Sequence, residues 1–412
     1  MPATSDAHSA KRDLRTGRPL WADSAGLNLP VKPLRAPADV DVAIVGAGIS
    51  GAFMARELSR DLSVVVVDRR GPVLGSTLAS TALLQWELDL PLRALAEKVG
   101  EARAGRVYLR ARAAVETLTR IVRAERITCG LTTKSSLYLA GDAYGARALK
   151  QETARREALG LPSVFLDGAQ VREQFGIDRT GAIVSSGAAS ADPARLAAAL
   201  LRRATACGAR IFAPVEVTGV LQGKGHVTLV NDAGIEVRAR HVVFCCGYEF
   251  PDCVPTHGAR ILSTWALASQ PIEHPPPWLR RTLVWEASDP YLYFRLTQDG
   301  RLVVGGEDEA SPTRHADPKT LTPKAKTIVR KLETLLPELK LEIDYAWAGA
   351  FGESASSMPL MGPIPGMPRG YAVMGFGGNG ITFSVIASQI VSAAIRGRPD
   401  PEARDYAFDR ET

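Results

Sequence analysis

A chain of 412 residues, 46% hydrophobic and 23% charged, is long enough for two domains and has neither a disordered nor a membrane composition. Its formal charge of +6 comes from 50 Lys and Arg spread along the whole length, so no run is dense enough for a nucleic-acid stripe. Five cysteines without CxxC spacing and six histidines without HxH or HExxH patterns point to a reducing compartment and no metal site.

Residues 1–38 are polar and punctuated by Pro19, Pro30, Pro33 and Pro37, which predicts an extended arm on the surface. The arm has no apolar signal-peptide segment, and no apolar run elsewhere approaches the ~20 residues that cross a bilayer, so a cytoplasmic protein is expected. Residues 40–45 read as a buried parallel strand, 49–60 as a helix and 62–68 as a second buried strand, one βαβ unit. Residues 91–160 turn helical and Arg/Ala/Glu-rich, with a strand-like piece at 136–140, as in a second domain inserted into the first. Asp192 before Pro193 opens an alanine-rich helix that runs to Cys207, with Asp192 as N-cap and Pro193 as first helical residue. Strands follow at 211–220, 226–231 and 236–240, then a buried strand at 242–246 closed by Gly247. Residues 271–277 mark a return to the second domain, with strands at 283–285, 291–296 and 301–305 and a helix at 324–335. A strand at 371–374, a glycine-rich turn and a helix at 383–396 close the first domain. The implied division is an arm (1–38), a discontinuous nucleotide domain (39–90, 191–260 and 346–400), a second domain (91–190 and 261–345) and a tail (401–412).

The turn Gly46-Ala47-Gly48-Ile49-Ser50-Gly51 lies directly between strand and helix. There Gly46 permits the tight turn, Gly48 lets the backbone approach a pyrophosphate, and Gly51 lets the helix pack on the strand. The amides and positive dipole end of that helix then face phosphate oxygens. Asp68, at the end of the second strand, is placed to bind ribose hydroxyls. The same residues would also make a plain βα turn with a solvated acid, and FAD and NAD both present the adenosine diphosphate that the motif reads. Glycines at 375, 377, 378 and 380 between a strand and a helix form a second nest of amides.

Several segments together resemble the D-amino-acid oxidase superfamily of flavoproteins, which includes glycine, sarcosine and gamma-glutamylputrescine oxidases. They are VAIVGAGISG (42–51), GSTLASTALLQWELD (75–89), ADPARLAAAL (191–200), VVFCCGYE (242–249), YLYFRLTQDGRLVVGGEDE (291–309), WAGAFGESASSMPLMGPIP (347–365) and GFGGNGITFS (375–384). The resemblance spans residues 39–398 and implies an α/β fold, a Rossmann-like FAD-binding domain interleaved with an α+β substrate domain built on an antiparallel sheet. It implies FAD held by Gly46, Gly48, Ile49, Ser50, Gly51 and Asp68. Arg69 or Arg70 would lie near the adenosine, with the backbone of Val215 on adenine. Ser80 and Thr81, with Leu84 and Gly247, would line the cofactor. Their hydroxyls either reach the pyrophosphate or cap the next helix. Gly377, Gly378, Asn379, Gly380, Ile381 and Thr382 would wrap the isoalloxazine end. The sequence departs from the family where Phe351 replaces the carboxylate-binding arginine of glycine oxidase and Thr382 the lysine of sarcosine oxidase. Gly349 falls near the flavin-tethering cysteine of sarcosine oxidase, and no histidine follows Ser80-Thr81, so noncovalent FAD is expected. The lysine that promotes reaction with oxygen has no counterpart near Val303.

Flavin accepts the hydride itself, so no protein nucleophile is required. The substrate-pocket candidates are Gln85, Trp86, Glu286, Tyr291, Tyr293, Arg295, Phe351 and Glu353. Tyr291, Tyr293 and Arg295 alternate as on one face of a strand, where two phenols and a guanidinium would hold an anionic or aromatic amine or would simply pack. Glu286 and Glu353 are candidates for an ammonium group, and Cys245-Cys246 read as core. The expected reaction is oxidation of a C–N bond in a small amine or amino acid, with O2 or another carrier as acceptor. A flavin-dependent 2-hydroxy acid dehydrogenase and a noncatalytic flavin-binding subunit are the alternatives.

Overall fold

The computed structural model describes residues 5–6, 11–256 and 259–410. Residues 1–4 and 7–10 of the arm and 411–412 of the tail lie outside them. Among the described residues the chain builds two sheets, of nine and ten strands, that interleave along the sequence.

The first sheet grows from Ala38–Val45, which pairs in parallel with Val64–Val67 on one side and Glu236–Phe244 on the other. Arg210–Phe212 and Met367–Met374 extend it, also in parallel. Alternation divides the central strand between two covered faces. Val42 and Ile44 join one apolar cluster with Phe53, Leu200 and Ile386, and Ala43 joins another with Val215, Leu229 and Met374. Cover on both faces explains the unbroken valine run of Val64–Val67, which has no polar face to alternate with. Helices Ile49–Leu58, Pro193–Ala206 and Gly380–Ile395 supply one of the covers. Asp192 caps the second of these, accepting from Ala194 N and Arg195 N at 2.9 Å each, with Pro193 in first position.

Two expected strand divisions change. Residues 211–220 split into Arg210–Phe212, in the parallel sheet, and Val217–Gly223, which pairs antiparallel with His226–Asn231. Pro214, which lacks the amide a ladder needs, lies in the break. The separate strands at 236–240 and 242–246 are one, because Val237 through Phe244 keep a single register against Ala38 through Val45.

Against the expectation that no apolar run is long enough to cross a bilayer, Gly377–Ile395 spans 19 residues with a mean hydropathy of 1.3. Of this stretch 67% is buried inside the protein. Its all-round apolarity follows from enclosure between Ile49–Leu58, Glu101–Ala124 and the first sheet.

Toward one edge of the second sheet, Arg260–Pro271 and Ile343–Glu353 are antiparallel neighbours, with Arg260 opposite Glu353 and Ser269 opposite Ile343. Leu292–Leu296 and Arg301–Glu309 continue it as a hairpin, and Leu321–Leu335 packs Ile328 and Leu332 beneath. Every pairing in it is antiparallel except that of Thr282–Glu286 with Thr132–Leu139. Because Ile343–Glu353 belongs wholly to this sheet, the return to the nucleotide unit comes after Glu353 and not at residue 346. Leu83–Leu84, inside the span 39–90, likewise pairs here, with Gly181–Ser190.

The arm is also more than a surface strap. Arg15–Gly17 adds a strand to Ile343–Glu353, and Leu14, Trp21 and Leu34 are buried. Single apolar residues between prolines have no periodicity by which such docking could be read.

Candidate active site

The C-terminal ends of the parallel strands open into one cleft that runs between the two sheets. At Gly46 the backbone adopts φ +107, and a Cβ there would strike the Cys245 carbonyl. A Cβ at Gly51 would overlap the carbonyl oxygen of Gly46, so only glycine lets helix and strand approach this closely. Gly48 is the N-cap of Ile49–Leu58 and has no side chain to cap its first amides. Those amides, with Ser50 and the Thr77 hydroxyl that accepts from Ile49 N at 3.0 Å, line the cleft as an anion cradle.

Asp68 stands beside the cradle, its carboxylate held by three backbone amides. Oδ2 accepts from Ala47 N at 2.7 Å, and Oδ1 from Arg70 N and Gly71 N at 2.8 Å each. These bonds aim the carboxylate and leave lone pairs for hydroxyl donors. Arg70 forms a forked pair with Glu249 at 2.5 and 2.7 Å, and Arg69 Nη1 stands 3.8 Å from the same carboxylate. Val215 lines the cleft, but its amide already donates to the Asp68 carbonyl at 2.9 Å. Gly247, with φ +65, completes this end.

The loop from Ser76 to Leu83 forms one wall, and three successive carbonyls anchor it. Trp347 Nε1 donates to Ala79 O at 2.9 Å, Trp21 Nε1 to Ser80 O at 2.6 Å and Arg295 Nε to Thr81 O at 2.7 Å. Ser80 and Thr81 thereby face the cleft, while Leu83 lines it and its neighbour Leu84 turns into the core.

At the far end Gly349, Ala350 and Phe351 face the second glycine turn. Gly378 N donates to Asp89 Oδ2 at 2.6 Å. Asn379 Nδ2 and Thr382 Oγ1 tie the turn to the carbonyls of Glu87, at 2.9 Å, and Gln85, at 3.0 Å. Gly377, Gly378, Asn379, Gly380 and Ile381 line the cleft, whereas Thr382 and Gly51 act behind the lining.

Tyr291 and Tyr293 line the same end with ring centroids 5.2 Å apart. Gln85 joins them. Arg295 does not. It lies two residues, about 7 Å, further along its strand, under the 79–82 loop and 1% exposed. There it donates to Thr81 O and, through Nη2, to Ala191 O at 2.9 Å, with Trp21 stacked 5.2 Å away. Burial pushes its guanidinium down to about 10, which still leaves it charged at neutral pH. Glu353 is also outside the cleft lining, accepting from Ser357 Oγ at 3.3 Å with Arg260 at 3.6 Å. Glu286 pairs with Arg179 at 2.7 Å, and Trp86 is fully buried, donating to Ser186 O at 2.8 Å. Cys245 and Cys246 pack at the strand end, where burial pushes the Cys245 thiol up to about 12.

Asp308 is the residue that pattern reading missed. The pairing of Arg260–Pro271 with Arg301–Glu309 slips between Trp265, opposite Gly306, and Ser263, opposite Glu309. Glu307 takes φ +61 in this bulge, and Asp308 turns into the cleft. Burial, then the Asp89 carboxylate, push Asp308 up to about 7 against hydrogen bonds from Thr264 and Tyr291. Asp89 is pushed up too, by desolvation within the cleft and by the Glu353 carboxylate, opposed by the Gly378 amide. The only sequence signal was a Gly-Gly pair ahead of three acids, which a solvated hairpin would also show.

A glycine-led helix N-terminus, an aimed acid and a second glycine nest along one cleft define a dinucleotide-dependent α/β enzyme. The chain belongs to the FAD dependent oxidoreductase family, whose profile it matches over residues 41–394, and its cofactor is FAD. It is 24% identical over 391 residues to gamma-glutamylputrescine oxidoreductase of Escherichia coli (strain K12), covering 92% of this chain and 88% of that one. L-proline dehydrogenase from P. horikoshii superposes with a TM-score of 0.75 at 20% identity, over 91% of this chain and 99% of that one. Glycine oxidase from Geobacillus kaustophilus does so with 0.73 at 20%, over 88% and 96%. At that identity the two superpositions speak for the fold. The cleft fits the cofactor, because the glycine positions leave the backbone bare where phosphates and rings must approach.

Two outcomes are expected. Trichloroacetic acid precipitation of the yellow protein leaves the chromophore in the supernatant; colour retained in the pellet would mean a covalent link. Arg295→Met strands two buried carbonyls and lowers the unfolding free energy by about 2–4 kcal/mol, read by denaturant titration, while relative rates on different substrates stay as they are.

Proposed function

We propose that this enzyme oxidises a C–N bond of a small amine or amino acid, giving an imine that hydrolyses to an aldehyde or keto acid. The observation that carries the reading is the end of the cleft beyond the cofactor cradle, where Tyr291, Tyr293, Gln85, Asp89 and Asp308 converge on the second glycine turn. FAD, when bound, supplies the acceptor for the electron pair that leaves with hydrogen as the C–H bond beside nitrogen breaks and C=N forms.

The chain's own groups divide the remaining work. The amides of Gly48 to Ser50 would hold the pyrophosphate and Asp68 the ribose, while Arg69 and Arg70 would flank the adenosine. Amides at Gly377 to Ile381 would stabilise negative charge on the reduced ring system. Aromatic walls at Tyr291, Tyr293 and Phe351 exclude water from the reacting carbon. Dioxygen or another carrier then removes the electrons. The relatives named above, one acting on gamma-glutamylputrescine, one on L-proline and one on glycine, support C–N chemistry. A 2-hydroxy acid would bring a carboxylate and no cation against Asp89 and Asp308, which favours substrates that carry an ammonium group.

Anaerobic mixing of the holoenzyme with small amines, amino acids and 2-hydroxy acids is expected to bleach the flavin absorbance with members of the first two classes. Bleaching by hydroxy acids alone would contradict the reading, and a flavin that neither substrate nor sulfite can reach would point to a noncatalytic subunit.

A further inference from the structure

We propose that the ring end of the cleft is built for an alkylammonium group, so that the substrate is an amine with no carboxylate beside its nitrogen. This rests on the C–N reading above and chooses between its two substrate classes. Gln85 and Asp308 line this end, and each carries an acceptor, Gln85 Oε1 and Asp308 Oδ1, that is shielded from water and has no hydrogen-bond partner. Gln85 as a whole is only 7% exposed. Buried acceptors without donors are costly, and an ammonium brings three N–H groups together with a positive charge. Asp89 adds a second carboxylate with only one oxygen bonded to Gly378, and the Tyr291 and Tyr293 rings add faces that attract a cation.

The distribution of positive charge argues the same way. Among the described residues, the only cationic side chains lining the cleft are Arg69 and Arg70, at the adenosine end, and Arg70 is paired with Glu249. An α-amino acid would therefore bury its carboxylate near two acids with no cation to answer it. Phe351 adds an apolar wall to the same end.

Asp308 also meets a chemical requirement of the reaction. An ammonium nitrogen has no lone pair to assist hydride departure, so it must first lose a proton. One N–H bond breaks, its electron pair stays on nitrogen, and an O–H bond forms on the Asp308 carboxylate. The groups facing Asp308 are Thr264, Tyr291 and Tyr293 on the sheet, Asp89 from the opposite wall, and Lys324 of Leu321–Leu335. Lys324 is itself paired with Glu309 at 2.8 Å and Glu307 at 3.4 Å. Burial and Asp89 together set Asp308 at about 7, where an acid takes and gives protons readily at neutral pH.

The test uses the holoenzyme and two unreactive isosteres, tert-butylammonium and pivalate, each titrated while the flavin spectrum is read. The cation is expected to bind about tenfold tighter than the anion or better, and to tighten as pH rises from about 6 to 8, because Asp308 gains its charge in that window. Asp308→Asn with unchanged FAD content is expected to weaken the cation by about 30-fold and flatten the pH response, while Asp308→Glu retains both. Equal or tighter binding of pivalate overturns the proposal and needs no variant to show it; cation binding indifferent to Asp308→Asn overturns it as well. Amino acids that bleach the flavin faster than their decarboxylated amines would overturn it while leaving the C–N reading intact. A cation site that behaves as stated in an enzyme bleached only by 2-hydroxy acids would spare this site and remove the C–N reading.

Discussion

Three consecutive carbonyl groups, those of Ala79, Ser80 and Thr81, are each taken by one buried side chain, and the site depends on that anchorage. A loop carbonyl shut away from water without a donor would be strongly unfavourable, so the three donors determine where the loop can lie. They come from three parts of the chain: Trp21 from the arm, Arg295 from the substrate-side hairpin and Trp347 from Ile343–Glu353 of the second sheet. The wall of the cofactor cleft is thus shaped by elements outside the nucleotide unit. The arm docks for the same reason, since Arg15–Gly17 pairs with the strand that carries Trp347.

Charge is segregated along the cleft. The cofactor end is a helix N-terminus with Arg69 and Arg70 at its margin, suited to phosphates. The opposite end holds two carboxyls, Asp89 and Asp308; desolvation in the cleft weakens the acidity of both, and the Asp89 carboxylate weakens that of Asp308 further. One amide-lined and one acid-lined end in the same trough would orient a bound dinucleotide and, on the proposal above, leave its reacting face to a cationic substrate. Lys324, the cation nearest Asp308, is engaged by Glu307 and Glu309 and stacks on Trp265 at 4.7 Å.

Local rules made the cofactor half legible. The valine strands, the Gly46 to Gly51 turn, the Asp192 cap and the second glycine turn each announce themselves over a few neighbouring residues, and the structure contains them all. The substrate half depends on long-range geometry. Alternation sets Tyr291, Tyr293 and Arg295 on one face, but only the tyrosines line the cleft, because a strand that begins in the cleft runs out of it within two residues. Asp308 enters through a register slip whose cause is the pairing of two distant strands, and no count along one strand can show it. The arm's docking is invisible for a similar reason, as Trp21 has no apolar neighbours at helical or strand spacing and finds its partners 59 positions away.

The most direct measurement is a crystal structure of the holoenzyme grown with tert-butylammonium. The account requires the adenosine beside Asp68, the pyrophosphate over the amides of Gly48 to Ser50 and the ring system between Gly349 to Phe351 and the second glycine turn. It also requires the ammonium nitrogen within hydrogen-bond reach of Asp308 on the open face of the ring. A ring system lying elsewhere in the cleft, or an Asp308 carboxyl walled off from that face, would contradict it.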